Sequence, residues 1–304
     1  MHLVTFRVLS HRSLGAELDA KVIDLPAVDS AIPNDMLQFL EAGERALEAA
    51  RNALQFVQTA ADKRDLRGRD GSRMVHEQEE VTYLAPIPRP PKILAIGLNY
   101  RSHIDELARA GIRPTRIPFF FSKLPSTVVG PNEPVILPAL SKEVDYEIEL
   151  AFIVGKRARH VTPQEAMKYV AGYTIFNDIS ARDIQLVDNQ ITLGKNFDTF
   201  APMGPSLVTP EEVPDPHSLT LSLQLNGVVM QHDSTSNLVC RIPEMLSFLS
   251  KVMTLEPGTV VATGTPGGVG FQRQPPVFLH PGDVMRLEID GLGVLETPVV
   301  AEDS

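Results

Sequence analysis

The chain is poor in cysteine, in basic charge and in long apolar runs. Cys240 is its sole thiol among 304 residues. One thiol forms no intrachain disulfide, which points to a reducing compartment. Cys240 follows Leu238-Val239 and precedes an expected helix, so packing rather than nucleophilic chemistry is expected of it. Lys and Arg number 28 against 38 Asp and Glu, a net charge of −10. That balance excludes a general nucleic-acid binder, which needs a basic surface. It also repels anions at long range, so an acidic substrate has to be drawn in by a metal or by buried Lys and Arg. No apolar run approaches the roughly 18 residues that span a bilayer. The opening residues 1–7 lack the basic flank and long apolar stretch of a signal peptide. No membrane partner and a cytoplasmic protein are expected. Internal repeats and low-complexity tracts are missing too.

What is present is globular. Hydrophobic residues make up 43% and charged residues 22%, which excludes a disordered chain. Stretches 3–8 and 14–25 read as strands. Across 34–59, Leu40, Leu47 and Leu54 recur every seven residues with Ala50 and Val57 in the same stripe, which predicts an amphipathic helix. The run Pro86-Ile87-Pro88-Arg89-Pro90-Pro91 predicts an extended linker, since proline removes backbone donors. It divides a small N-terminal domain, 1–85, from a larger one, 86–304. Strands dominate beyond it, at 92–98, 144–154, 169–179, 219–225, 259–262 and 284–289. Asn226-Gly227 predicts a hairpin turn, and Gly291-Leu292-Gly293 another. Short helices are expected at 102–110, at 163–168 and after Pro243. So many closely spaced strands exclude a doubly wound fold and point to a β-rich α+β class.

Four groups of residues carry possible chemistry. Asp145-Tyr146-Glu147-Ile148-Glu149-Leu150 alternates acid and apolar residues, so on a strand its three acids share a face. A solvated outer face would look the same. However, the run continues into Ala151-Phe152-Ile153-Val154, which is typical of a buried strand, and buried carboxylates need a partner such as a metal. Asp178 ends a second apolar strand and is either a third oxygen ligand or a turn acid. An all-oxygen set suits Mg²⁺ or Mn²⁺ rather than Zn²⁺. His103 and Glu106 are three apart and share a helical face, as a proton-accepting pair or as a surface ion pair. Lys195, in Gly194-Lys195-Asn196, is either an exposed lysine or a donor to a developing oxyanion. Thr263-Gly264-Thr265-Pro266-Gly267-Gly268-Val269-Gly270 lacks the lysine of a nucleotide P-loop, and its glycines allow either a close backbone approach to a ligand or a plain turn.

Taken together the chain resembles the fumarylacetoacetate hydrolase family. The matching segments are Ile96-Gly97-Leu98-Asn99-Tyr100 with His103 and Glu106, Phe120-Phe121-Ser122-Lys123, the acidic run 145–150, and Asn177-Asp178-Ile179-Ser180. They continue through Lys195, Pro202-Met203-Gly204-Pro205, the glycine loop and Pro281-Gly282-Asp283-Val284. The matches cover about 92–296, and the first 85 residues match loosely. The resemblance implies a mixed β-sandwich roll as catalytic domain beside a small N-terminal α/β domain, in a homodimer. It implies Mg²⁺ or Mn²⁺ on Glu147, Glu149 and Asp178, with Asp145 behind them. His103 and Glu106 match the catalytic pair and Lys195 the lysine beside the reacting bond. Arg182, Gln185, Thr265, Lys123 and Ser126 match positions near substrate. The activity expected from this is hydrolysis of a carbon–carbon bond in an acylpyruvate-like or fumarylacetoacetate-like 2-oxo acid. The alternatives are decarboxylation of oxaloacetate, isomerisation and decarboxylation of an unsaturated 2-oxo diacid, and a non-catalytic small-acid binder held together by its metal.

Overall fold

The computed structural model describes residues 1–60, 66–109, 118–187 and 190–302. Its frame is a large mixed sheet running through Val75–Glu77, Lys21–Asp24, His11–Leu18, His2–Val8, Ala201–Val208, Val170–Asn177, Ile148–Val154, Val260–Ala262, Ile93–Gly97 and Phe119–Lys123. A second sheet of five strands runs through Val228–Ser234, Thr220–Leu225, Val284–Ile289, Gly293–Ala301 and Val135–Leu137. This is the β-rich α+β roll of the expected family, with a small N-terminal region of helices and strands.

Strand Ile148–Val154 is buried along its whole length and alternates between two cores. Ile148, Leu150, Phe152 and Val154 share one core with Leu221, Leu223, Met285 and Leu287 of the five-stranded sheet and with Met245, Leu246 and Leu249 of helix Ile242–Val252. Ala151 and Ile153 join a second core under the N-terminal helices. Apolar side chains on both faces explain the unbroken hydrophobic run. Glu149 has the parity of Ala151 and Ile153, near the start of the strand.

The N-terminal strands are continuous with this sheet, since His2 and Leu3 pair with Val208 and Leu207. The stretch read as one strand at 14–25 is a hairpin, His11–Leu18 and Lys21–Asp24, turning on Asp19 and Ala20, both at positive φ. The single helix expected over 34–59 is two helices, Met36–Ala42 and Glu44–Thr59. Gly43 separates them at φ 63°, ψ −139°, a conformation only glycine adopts readily. The second helix buries Ala46, Ala50, Ala53 and Val57, while Leu47 and Leu54 are half-buried. In the expected linker, Ile87 is buried and the Pro86 carbonyl accepts from the Thr5 hydroxyl at 2.7 Å. The expected helix near 102–110 spans Arg101–Arg109, and Ala110 lies outside the described residues.

Candidate metal centre and proton-transfer site

Strands Ile148–Val154 and Val170–Asn177 are antiparallel neighbours, with Ile148 opposite Asn177. That register brings the residue before one strand against the residue after the other. The Asp178 amide donates to the Glu147 carbonyl at 2.9 Å, and the Glu147 amide donates to Asn177 Oδ1 at 3.0 Å. Oxygens of Glu147, Glu149 and Asp178 therefore converge to within 4.8 Å of one another, all buried. Asp145 does not continue the same strand. Val144–Asp145 pairs separately with Ser180–Ala181, and the strand is interrupted at Tyr146, whose amide donates to Asp145 Oδ1 at 2.8 Å.

Three cations are folded around these acids. Lys123 Nζ lies 2.6 Å from Asp178 Oδ1. Lys195 Nζ bridges Glu147 Oε2 at 2.8 Å and Asp178 Oδ2 at 2.7 Å. Arg182 Nη2 lies 2.6 Å from Glu147 Oε1, its Nε donates to Asp145 Oδ2 at 2.9 Å, and its Nη1 donates to Gln185 Oε1 at 2.9 Å. Asp145 also accepts from the amides of Gly270 and Phe271. It thus serves as the anchor of Arg182.

Burial by itself raises the Glu147 carboxyl, but Lys195 and Arg182 outweigh it and hold the group down to about 2. Glu149 goes the other way. Burial first, then repulsion from Asp178 and Glu147, pushes it well above the ordinary range. Among the described residues its carboxylate accepts one hydrogen bond, from the Gly264 amide at 2.7 Å, and has no ion-pair partner. Burial pushes the Lys123 ammonium down to about 8, against the pull of Asp178.

This imbalance is the test of whether the site suits a cation. With every group ionised, four carboxylates, Asp145, Glu147, Glu149 and Asp178, would stand against Lys123, Arg182 and Lys195 with one negative charge in excess, and the rise at Glu149 answers that excess. A buried carboxylate without a counter-charge is unfavourable, and a hard cation with oxygen ligands relieves it. Glu147, Glu149 and Asp178 can coordinate a divalent cation.

A cavity of about 390 Å³ opens onto these acids. Its lining includes Glu147, Glu149, Asp178, Arg182, Gln185, Lys195, Thr265 and His103. His103 Nδ1 lies 3.3 Å from Glu106 Oε2, and Glu106 in turn accepts from the Gly268 amide at 3.3 Å. Thr265 Oγ1 donates to the Ile148 carbonyl at 2.8 Å. Apolar Leu98, Phe119, Phe121, Leu186, Ile191 and Phe271 complete the wall. Lys123 sits behind Asp178 rather than in the lining. Ser126 is exposed on the turn Pro125–Thr127 and is not among the lining residues. A larger cavity, about 560 Å³, lies near Pro26–Ser30 and Arg67–Asp70, and among the described residues no carboxylate triad lines it. Sequence reasoning missed Asn177 and Gln231, whose amide groups fix the backbone around the acids.

The model of the fumarylacetoacetate hydrolase C-terminal region matches residues 92–300. The chain belongs to that family. It is 43% identical over 291 residues to the oxaloacetate tautomerase Fahd2a, mitochondrial, of Rattus norvegicus, covering 95% of this chain and 87% of the relative. It is 42% identical over 306 residues to the oxaloacetate tautomerase FAHD2A, mitochondrial, of Homo sapiens, covering 99% and 92%. The structure of maleylpyruvate hydrolase from Sphingobium sp. SYK-6, in complex with manganese(II) and pyruvate, superposes at a TM-score of 0.78 with 31% identity over the whole of both chains. These family relatives correct two expectations. Hydrolysis of a carbon–carbon bond gives way to isomerase chemistry, because the near-full-length relatives of higher identity are tautomerases. A cytoplasmic location is likewise overturned by relatives that are mitochondrial proteins.

Proposed function

We propose that this chain is a cation-dependent tautomerase that interconverts the enol and keto forms of an oxaloacetate-type 2-oxo acid. The observation that carries the reading is one cavity lined by both a carboxylate triad and a His–Glu pair, in a chain so similar to oxaloacetate tautomerases. Mg²⁺ or Mn²⁺, held by Glu147, Glu149 and Asp178, supplies Lewis acidity towards a chelating 2-oxo carboxylate.

The remaining work belongs to the side chains. Tautomerisation moves one proton from the enol oxygen to the neighbouring carbon and consumes no water. Glu106 orients His103 through Nδ1, leaving Nε2 as the ring nitrogen that exchanges the proton. Lys195 and Arg182 supply positive charge beside the substrate's carboxylates. Gln185 has its carbonyl oxygen committed to Arg182, so its amide N–H groups remain as donors. Thr265, from the glycine loop, lines the same cavity. A homodimer is the assembly this reading takes from the family resemblance, and exposed Leu124, Leu186, Val187 and Leu193 are apolar side chains such a contact could cover.

The test follows the ultraviolet absorbance of the enol of oxaloacetate with Mg²⁺, with Mn²⁺ and with chelator. Decay above the uncatalysed rate only with a cation is expected. His103→Ala should lower it roughly 10²–10⁴-fold while cation binding persists. No acceleration with either ion would overturn the reading and favour a small-acid binder.

A further inference from the structure

Strand Val228–Ser234 touches both halves of the site from outside. Gln231 and Asp233 are two apart and share a face. Buried Gln231 accepts from the Ile148 amide at 3.0 Å and donates to Thr265 Oγ1 at 2.8 Å and to the Pro266 carbonyl at 2.9 Å. Ile148 lies between Glu147 and Glu149, so this amide fixes the backbone that presents two of the three acids. Asp233 Oδ2 accepts from the Ser102 hydroxyl at 2.6 Å. Ser102 immediately precedes His103 in helix Arg101–Arg109, and its oxygen also accepts from the Gly267 amide at 3.1 Å.

The helix needs such a tie. Nine residues are too few to hold a helix alone. The links from Glu106 to Gly268 are long, at 3.3 and 3.4 Å. The Ser102–Asp233 bond is short and charge-assisted. Asp233 is itself held in place, because its Oδ1 accepts from the Ser234 amide at 2.7 Å and from Asn237 Nδ2 at 2.6 Å.

We propose that Asp233 is a positioning residue: through Ser102 it fixes the helix bearing His103 and Glu106 at a set distance from the carboxylate triad, whose strand is fixed by Gln231 two positions away. The idea rests on the tautomerase reading for its kinetic consequence only. Displacements of about 1 Å at a reacting group can cost about a hundredfold in rate.

The experiment compares wild type, Ser102→Ala, Asp233→Ala, Asp233→Asn and the double alanine variant. Enol decay, cation binding by calorimetry and amide hydrogen exchange are measured on each. Both single alanine variants should lower kcat roughly ten- to a hundredfold with cation affinity unchanged. The double variant should be no worse than either single, because both remove one bond. Asp233→Asn should recover most of the rate, since its amide still bonds the Ser102 hydroxyl. Exchange at amides 104–106 should quicken in Asp233→Ala while strand Ile148–Val154 stays protected. Wild-type kcat in Asp233→Ala, additive losses, or a parallel fall in cation affinity would overturn the proposal. A wild type that does not tautomerise would remove the functional reading instead, and the exchange pattern alone would then decide whether Asp233 holds the helix.

Discussion

Glu149 is the residue on which the site's electrostatics turn. It is buried with no ion-pair partner among the described residues, and burial, Asp178 and Glu147 push it above its ordinary value of 4.5 against the pull of Lys195. A carboxyl raised in this way contributes its stability below the ordinary range, and loses it as pH rises through the raised value. Glu147 has the opposite sign. Lowered to about 2, it contributes above 4.5 and loses that contribution as pH falls through about 2. In chelator, Glu149 should therefore cost the protein stability as pH rises above 4.5, and the rise in Tm on adding Mg²⁺ should grow with pH over the range above that value. Thermal melts across that range check it, and a flat cation effect would contradict it. Glu149→Gln should abolish the cation-induced rise yet stabilise the cation-free protein, by on the order of 1 kcal/mol or more at alkaline pH. Calorimetric titration together with melts in chelator measures both effects.

At the scale of elements, much of the site's frame was legible. Alternation along 147–154 correctly set Glu147 and Glu149 against Ile148 and Leu150, because a strand buried on both faces still keeps period 2. Val284–Ile289 and the Asn226-Gly227 turn were legible for equally local reasons. What escaped depended on partners distant in sequence. Gln231 lies opposite Leu223 only because the pairing slips between Leu223 and Gln224, a bulge that no local pattern reveals. Asp145 leaves the acidic strand because Arg182 and the amides of Gly270 and Phe271 claim it. The split of the 34–59 helix rests on Gly43 alone, a residue that a seven-residue leucine repeat conceals. Gly43→Ala finds no steric obstacle around its new Cβ but must adopt a strained backbone. It should destabilise the fold by about 1–3 kcal/mol without changing cation affinity. Denaturant melts and a cation titration check that pairing of outcomes.

Across the whole molecule, one sheet joins the first strand to the strands of the site. His2–Val8 pairs with Ala201–Val208, which pairs with Val170–Asn177 beside Asp178. The N-terminal strands and the site are therefore expected to unfold in one calorimetric transition, with cation raising the whole of it. Saturating cation at about a hundred times its Kd should add about 2.7 kcal/mol. Two resolved transitions, only one of them cation-sensitive, would show that the N-terminal region melts by itself.

The raised Glu149 carboxyl has a kinetic consequence. Without an ion it is held towards its neutral form, so three buried carboxylates balance three cations and no net charge draws an anion inward. On the proposed reading, a divalent ion displaces that proton and leaves the pocket positive. Ion should therefore load before acid, and substrate should dissociate freely from the stripped protein but be retained by the charged one.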